Sequence, residues 1–282
     1  MPTTGTTHPI RTTVVRANGT DLYCETRGRG PAVLFISGAT GDAGHFTRVT
    51  DLLADEFTVV TYDRRGNSRS PRPAGWTTTS TEEQADDAAA LLRALDLAPA
   101  AVYGNSGGAI IATCLLLRHP QVVRGAILHE PPLLSALAHP EPVLAMIQSR
   151  VQAGMAQAGP SGAVEAFVRF AAGDANFETL DPSLRERMLG NGETLFGIEF
   201  GTFEAYRPPE AELAAVTAPV HVLAGRESAP FFREAAGWLA SQLGVPVEHS
   251  PGAHTPQFDQ PAVLAALIRP WLRDASAAHT PH

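Results

Sequence analysis

The chain has 282 residues and a formal charge of −8, and no lysine occurs anywhere in it. The length fits one large domain, or one domain with an inserted lobe. The acidic balance and the lack of a basic stripe argue against nucleic acid or an anionic membrane as partner. The longest small or apolar run, GGAIIATCLLL (107–117), is too short to span a bilayer and long enough for a buried helix. The opening MPTTGTTHPI is polar and lacks the apolar stretch of a secretory signal. Cys24 and Cys114 form no metal-ligand pattern and read as reduced packing thiols. The expectation is a cytosolic protein without metal or cofactor.

In chain order, RTTVVRA and DLYCETR flank an NGT turn, the signature of a hairpin. AVLFI (32–36) is a short apolar run followed by a glycine-rich loop, and FTVVTY (57–62) is the next strand. A helix follows over about 81–95, with Ala88, Leu91, Leu92 and Leu95 on one face. Its early acids Glu82, Glu83, Asp86 and Asp87 suit the positive end of a helix dipole. AAVYG, GGAIIATCLLLRHP and GAILHE then read as strand, helix and strand. Downstream, PVHVLAG, FFREAAGWLASQLG, VPVEHS and PAVLAALIRPWL repeat the alternation. Apolar strands separated by helices imply a mostly parallel sheet covered on both faces. Ligand sites in such sheets lie at the carboxyl ends of the strands.

The interval 131–214 shows no clear strand. Val143, Ile147, Val151 and Met155 share one helical face, and Val164, Phe167, Val168 and Ala171 another. A third segment carries Leu184, Met188, Leu195, Phe196, Phe200 and Phe203. The expectation is a helical cap over 131–214 on a core of 10–130 and 215–275, with tails at 1–9 and 276–282. Some cap Phe, Met and Leu side chains should line a pocket beneath.

GNSGG (104–108) has the form G-x-S-x-G in strand–turn–helix context. A serine on so tight a turn has a strained backbone, and bulky residues two before and two after would collide. Gly104 and Gly108 therefore flank Ser106, whose hydroxyl is lifted above the sheet edge. The Gly107 amide opens a helix, where a developing oxyanion is stabilised. The loop SGATGDAGHF after AVLFI can aim a second amide at the same point, and Ala39 is the candidate donor. A serine hydroxyl needs a base. Among ten histidines, His254 in SPGAHTPQF lies between the last strand and the last helix, at the carboxyl edge.

GNSGG between strand and helix, the SGATG loop, DRRGNSRS (63–70) and PGAH together resemble the α/β-hydrolase superfamily. The likeness covers nearly the whole chain outside the tails and cap. It implies an eight-stranded, mostly parallel sheet, a Ser–acid–His triad and a cap that forms much of the substrate pocket. Three positions depart from the pattern. Ser37 stands where many members have His, Ser68 where a glycine is usual, and Ser228 in GRESAP where Asp is common. Two carboxylates compete for the acid role. Glu227 is one residue before the customary position. Glu130 in HEPP follows the sixth strand, where the resemblance offers an alternative, since in some members of the superfamily, such as certain haloalkane dehalogenases, the acid sits there and is a Glu. The apolar strand before Glu130 and the pair Pro131–Pro132 after it make a rigid mount, which favours Glu130.

His45 and Phe46 either contact substrate or pack a helix start, and His129 points to the opposite face of its strand from Glu130. Arg64 and Arg65 are expected to brace loops through Asp63. The resemblance implies a serine hydrolase acting on a small carboxylic ester or lactone with an apolar portion. Ser106, His254 and Glu130 would be catalytic, with Ala39 and Gly107 as the oxyanion hole. Carbon–carbon bond hydrolysis stays open. So does a non-hydrolytic receptor, epimerase or cyclase on the same scaffold, and so does a homodimer.

Overall fold

The computed structural model describes residues 8–277; most of the two expected tails lies outside them. Eight strands make one sheet: β1 (Arg11–Ala17), β2 (Thr20–Arg27), β3 (Ala32–Ile36), β4 (Thr58–Tyr62), β5 (Ala100–Asn105), β6 (Val123–His129), β7 (Val220–Gly225) and β8 (Val247–Ser250). The order is β1-β2-β4-β3-β5-β6-β7-β8. β2 runs antiparallel to both its neighbours and every other pairing from β4 to β8 is parallel. Asn18 and Gly19 take positive φ of 45° and 76° between β1 and β2, which matches the twist of a two-residue hairpin.

Helices α1 (Thr47–Leu53), α2 (Thr81–Ala94) and α3 (Gly107–Arg118) connect the strands up to β6. The start of α2 is fixed by Ser80, whose side chain accepts from the Glu83 amide, with Glu82 and Glu83 in the favourable first turn. After β6 the chain makes only helices until β7: α4 (Glu141–Ala172), α5 (Asp174–Glu178), α6 (Pro182–Gly190), α7 (Gly192–Thr194), a π-helical turn (Leu195–Glu199), α8 (Phe200–Ala205) and α9 (Glu210–Ala214). β7 leads into α10 (Pro230–Leu243), and β8 into α11 (Pro256–Asp259) and α12 (Pro261–Ala277). The last helix runs beyond the PAVLAALIRPWL expected for it, because Ala275 still packs against the sheet.

The period-2 alternation of the strands sorts their side chains between two cores. Leu34, Ile36 and Val102 face α2 and α3, where Leu91, Leu92, Ile110 and Ile111 are fully buried. Val33, Phe35 and Tyr103 face α1 and α12, against Leu53, Ile268 and Leu272. β3 is buried at all five positions and β5 at all six, so these central strands have no solvent face. The helical excursion after β6 has its own small core around Val164, Phe177, Leu184 and Met188. α4 is broken at Ala158 and Gly159 (φ 64°). Pro160 there disfavours helical backbone in the residue before it, so the two expected helices join across a kink.

Candidate active site

Ser106 sits between β5 and α3 with φ 58° and ψ −129°, a conformation that costs an ordinary residue about 1–3 kcal/mol. The turn is held on both sides. The Ser106 amide donates to the His129 carbonyl at 2.9 Å, and its carbonyl accepts from Ala109 at 2.8 Å. A Cβ on Gly104 would strike the Gly108 carbonyl, and one on Gly108 would strike the Ile36 carbonyl. Both flanking glycines are therefore sterically required.

The loop after β3 lies directly against this turn. A Cβ on Gly38 would come within 2.8 Å of the Ser106 Cβ. Among the described residues, neither the Ala39 amide nor the Gly107 amide has a hydrogen-bond acceptor, and both residues line the cavity that Ser106 faces. Gly41 closes the loop by donating to the Gly38 carbonyl at 3.1 Å.

His254 arrives on the loop after β8, 3% exposed. Its carbonyl accepts from Asn105 Nδ2 at 3.1 Å, and Asn105 Oδ1 accepts from Gln257 Nε2 at 3.0 Å. The Phe232 ring stacks on the imidazole with centroids 3.8 Å apart. The side chain at His254 Nδ1 is Glu130, whose Oε2 lies 2.6 Å away. The other carboxylate oxygen, Oε1, accepts from the Gly225 amide at 2.6 Å. Glu130 is fully buried, with φ 49° and its own amide donating to Leu223. Burial alone raises a carboxyl, but the hydrogen bond and attraction of His254 outweigh it and hold Glu130 below its ordinary value. Glu227 is exposed, and its amide goes to the Gly252 carbonyl. Ser228 is buried next to Gly225, so its hydroxyl stands beside the amide that Glu130 uses. Ser106 and His254 share the cavity wall without a hydrogen bond between their side chains.

The weaker expectations divide. Phe46 is a core residue, packed against Phe35 and Tyr103. His45 bonds Thr40 Oγ1 at 3.1 Å, and burial lowers it to about 4, so it is neutral at pH 7. His129 lies on the face away from the cavity, where it meets the Tyr103 hydroxyl at 2.7 Å; burial lowers it too to about 4. The expected roles of Arg64 and Arg65 need correcting. Asp63 is held by Arg69 and by the Ala43 amide, both at 2.7 Å. Arg65 goes to Asp87 at 2.9 Å. Arg64 turns inward to Glu199 and to the Gly38 carbonyl. Several participants had no signature in the sequence. Asn105 lay unnoticed inside the GNSGG motif, and Gln257, Phe232, the Gly225 amide and Glu199 reach the site only through tertiary contacts.

The cavity above Ser106 is walled by Phe167, Phe200, Phe203, Phe231, Phe232 and Leu195, among others. Its volume is about 50 Å³. A second cavity of about 40 Å³ shares Ala39, Ser106 and His254 with the first and is lined also by His45, Thr255 and Gln257. An apolar chamber with a few convergent polar groups is the usual form of a small-molecule site. Among the described residues no cluster of His, Cys, Asp and Glu could hold a metal ion. No described helix is long and apolar enough to cross a membrane.

A family model described as alpha/beta hydrolase fold matches residues 31–180. The uncharacterized hydrolase YraK of Bacillus subtilis (strain 168) is 41% identical over 128 residues, 45% of this chain and 47% of that protein. That alignment spans about half the length of the relative. Zearalenone hydrolase of Bionectria ochroleuca is 29% identical over 269 residues, covering 92% of this chain and 96% of that one. Among solved structures, a thermophilic esterase from Thermogutta terrifontis superposes with a TM-score of 0.74 at 24% identity, over 94% of this chain and 99% of that one.

Proposed function

Because the chain belongs to the α/β-hydrolase fold family, we propose that it is a serine hydrolase cleaving a small carboxylic ester or lactone through an acyl-enzyme. The observation that carries this reading is the bond from His254 to the buried Glu130, with His254 and Ser106 lining one apolar chamber. Ser106 Oγ attacks the carbonyl carbon while His254 Nε2 takes its proton. Nucleophile and base close to hydrogen-bond distance when substrate fills the chamber, since such contacts tighten in the reacting complex. The tetrahedral oxyanion is held by the Ala39 and Gly107 amides, each donor contributing on the order of 3 kcal/mol. His254 returns the proton to the leaving oxygen. Water, deprotonated by His254, then releases the acid and restores Ser106.

Glu130 stays ionised throughout. It fixes the proton on His254 Nδ1 and stabilises the imidazolium as it forms. The Gly225 amide on its second oxygen keeps the carboxylate from turning away. We assign residues 131–214 as a cap and 10–130 with 215–275 as the core. The cap's Phe167, Phe200 and Phe203 favour a substrate with an apolar, ring-sized portion. The non-hydrolytic reading drew on the missing Asp at Ser228; with Glu130 bonded to His254, that vacancy no longer favours it.

A fluorophosphonate probe tests the proposal. Stoichiometric labelling of the folded protein, lost in Ser106→Ala, is the expected result, together with turnover of p-nitrophenyl esters. Folded wild-type protein that takes up no label would refute it.

A further inference from the structure

We infer that Arg64 and Glu199 form a buried clamp that orients the oxyanion-hole peptide and makes it depend on the helical segment after β6. This inference rests on the serine hydrolase reading. The relevant unit is the peptide between Gly38 and Ala39. In a trans peptide the carbonyl and the following N–H point in opposite directions. Whatever grips the Gly38 carbonyl therefore aims the Ala39 N–H.

Arg64 grips this loop at two places. Its Nη2 donates to the Gly38 carbonyl at 3.0 Å, and its backbone amide donates to the Gly41 carbonyl at 2.8 Å. Between these anchors Thr40 holds a strained φ of 68°. The Thr40 carbonyl accepts from Asn191 at 2.7 Å, a residue at the end of α6. The guanidinium is itself fixed by both oxygens of Glu199, at 2.5 and 3.0 Å, which belongs to the π-helical turn. Gln84 and Asn67 also donate to Glu199 Oε1, at 3.1 and 3.0 Å. Arg64 is 1% exposed and Glu199 fully buried. A buried pair is weak evidence for stability, since apolar replacements of similar volume are often neutral. It is well suited to fixing one geometry. Arg64 touches no reacting atom and acts as a positioning residue through the peptide it holds.

The test pairs kinetics with a transition-state mimic in the double variant Arg64→Met/Glu199→Met, which removes both charges at similar volume. A trifluoromethyl ketone adds to Ser106 and places an oxyanion in the hole; the matching secondary alcohol has the same shape and forms no adduct. The expected result is a fall of about 10- to 100-fold in kcat and a matching loss in ketone affinity. KM and inhibition by the alcohol should move by less than about threefold. A variant with kcat and ketone affinity within threefold of wild type overturns the clamp, and so does one whose alcohol binding falls in step with its ketone binding. If the double variant does not fold, Arg64→Lys carries the same comparison, because a lysine cannot hold Glu199 and Gly38 together in one planar fork. The serine hydrolase reading fails separately, if wild-type Ser106 takes up no fluorophosphonate.

Discussion

The loops after β6 and β7 leave the sheet side by side, and each offers a carboxylate. In the β6 loop Glu130 is buried and has a partner on both oxygens. In the β7 loop Glu227 is exposed and contributes only its backbone. Position along the chain does not separate the two; surroundings do. A carboxylate that must stay charged beside a histidine needs a dry pocket lined with donors. The last residue of β7 supplies such a donor, the Gly225 amide, and gives it to the carboxylate beside it.

Breaking the β6 side should have the largest effect. Glu130→Gln keeps the shape and can present the wrong hydrogen to His254. We expect kcat to fall by about 10⁴, measured on a p-nitrophenyl ester, with fluorophosphonate labelling of Ser106 slowed in parallel. Activity within tenfold of wild type would remove Glu130 from the mechanism.

Restoring the β7 side should recover part of that loss. Ser228 is buried beside Gly225, so Ser228→Asp puts a carboxylate near the donor that Glu130 uses. Glu130→Gln/Ser228→Asp should regain about 10-fold or more in kcat over Glu130→Gln alone. Ser228→Asp in the wild-type background should lower activity instead, because two carboxylates then share one donor. If the double variant is no faster than Glu130→Gln, the two loops are not interchangeable mounts.

The same contrast shows what a sequence can disclose. The central strands were legible because a parallel strand buried on both faces leaves an uninterrupted apolar run, as in AVLFI. The serine turn was legible because its requirements are local: two glycines, a strand before and a helix after. For the proposed acid the sequence favours Glu130 over Glu227 without separating them, since Glu130 and His254 lie 124 positions apart and their meeting is decided by strand order. Arg64 was misassigned for a related reason. Asp63 is adjacent in sequence, but the partner of Arg64 is 135 residues away, on a π-helical turn.

A smaller effect concerns acid stability, and it falls in part on the end of β6, where His129 precedes Glu130. Unfolded histidine titrates near 6.5, whereas His129, like His45, is lowered by burial to about 4. The unfolded chain therefore takes up protons first as the pH drops. Stability contributed by the neutral side chain is complete above 6.5 and is lost as the pH falls toward 4. Below 4.5 the depressed Glu130 adds to this loss in the same direction. Each histidine steepens the acid limb by about 1.4 kcal/mol per pH unit at most. His129→Gln should flatten the pH dependence of urea unfolding between 6.5 and 4 by about one proton. An unchanged slope would mean that His129 is charged in the folded state.

The smallest effect tests the comparison from its other side. The Glu227 side chain lies in solvent, where its field at the imidazole is screened by water and salt. The hydrogen bond from its backbone N–H to the Gly252 carbonyl, which ties the β7 loop to the loop bearing His254, survives any side-chain change. Glu227→Gln should therefore change kcat/KM by less than about twofold and unfolding free energy by less than about 0.5 kcal/mol. Saturation kinetics and urea melts at constant ionic strength are sufficient to measure both. A tenfold fall in kcat with unchanged stability would mean that the β7 carboxylate shares the acid role when substrate is bound, and the division of labour between the two loops would have to be redrawn.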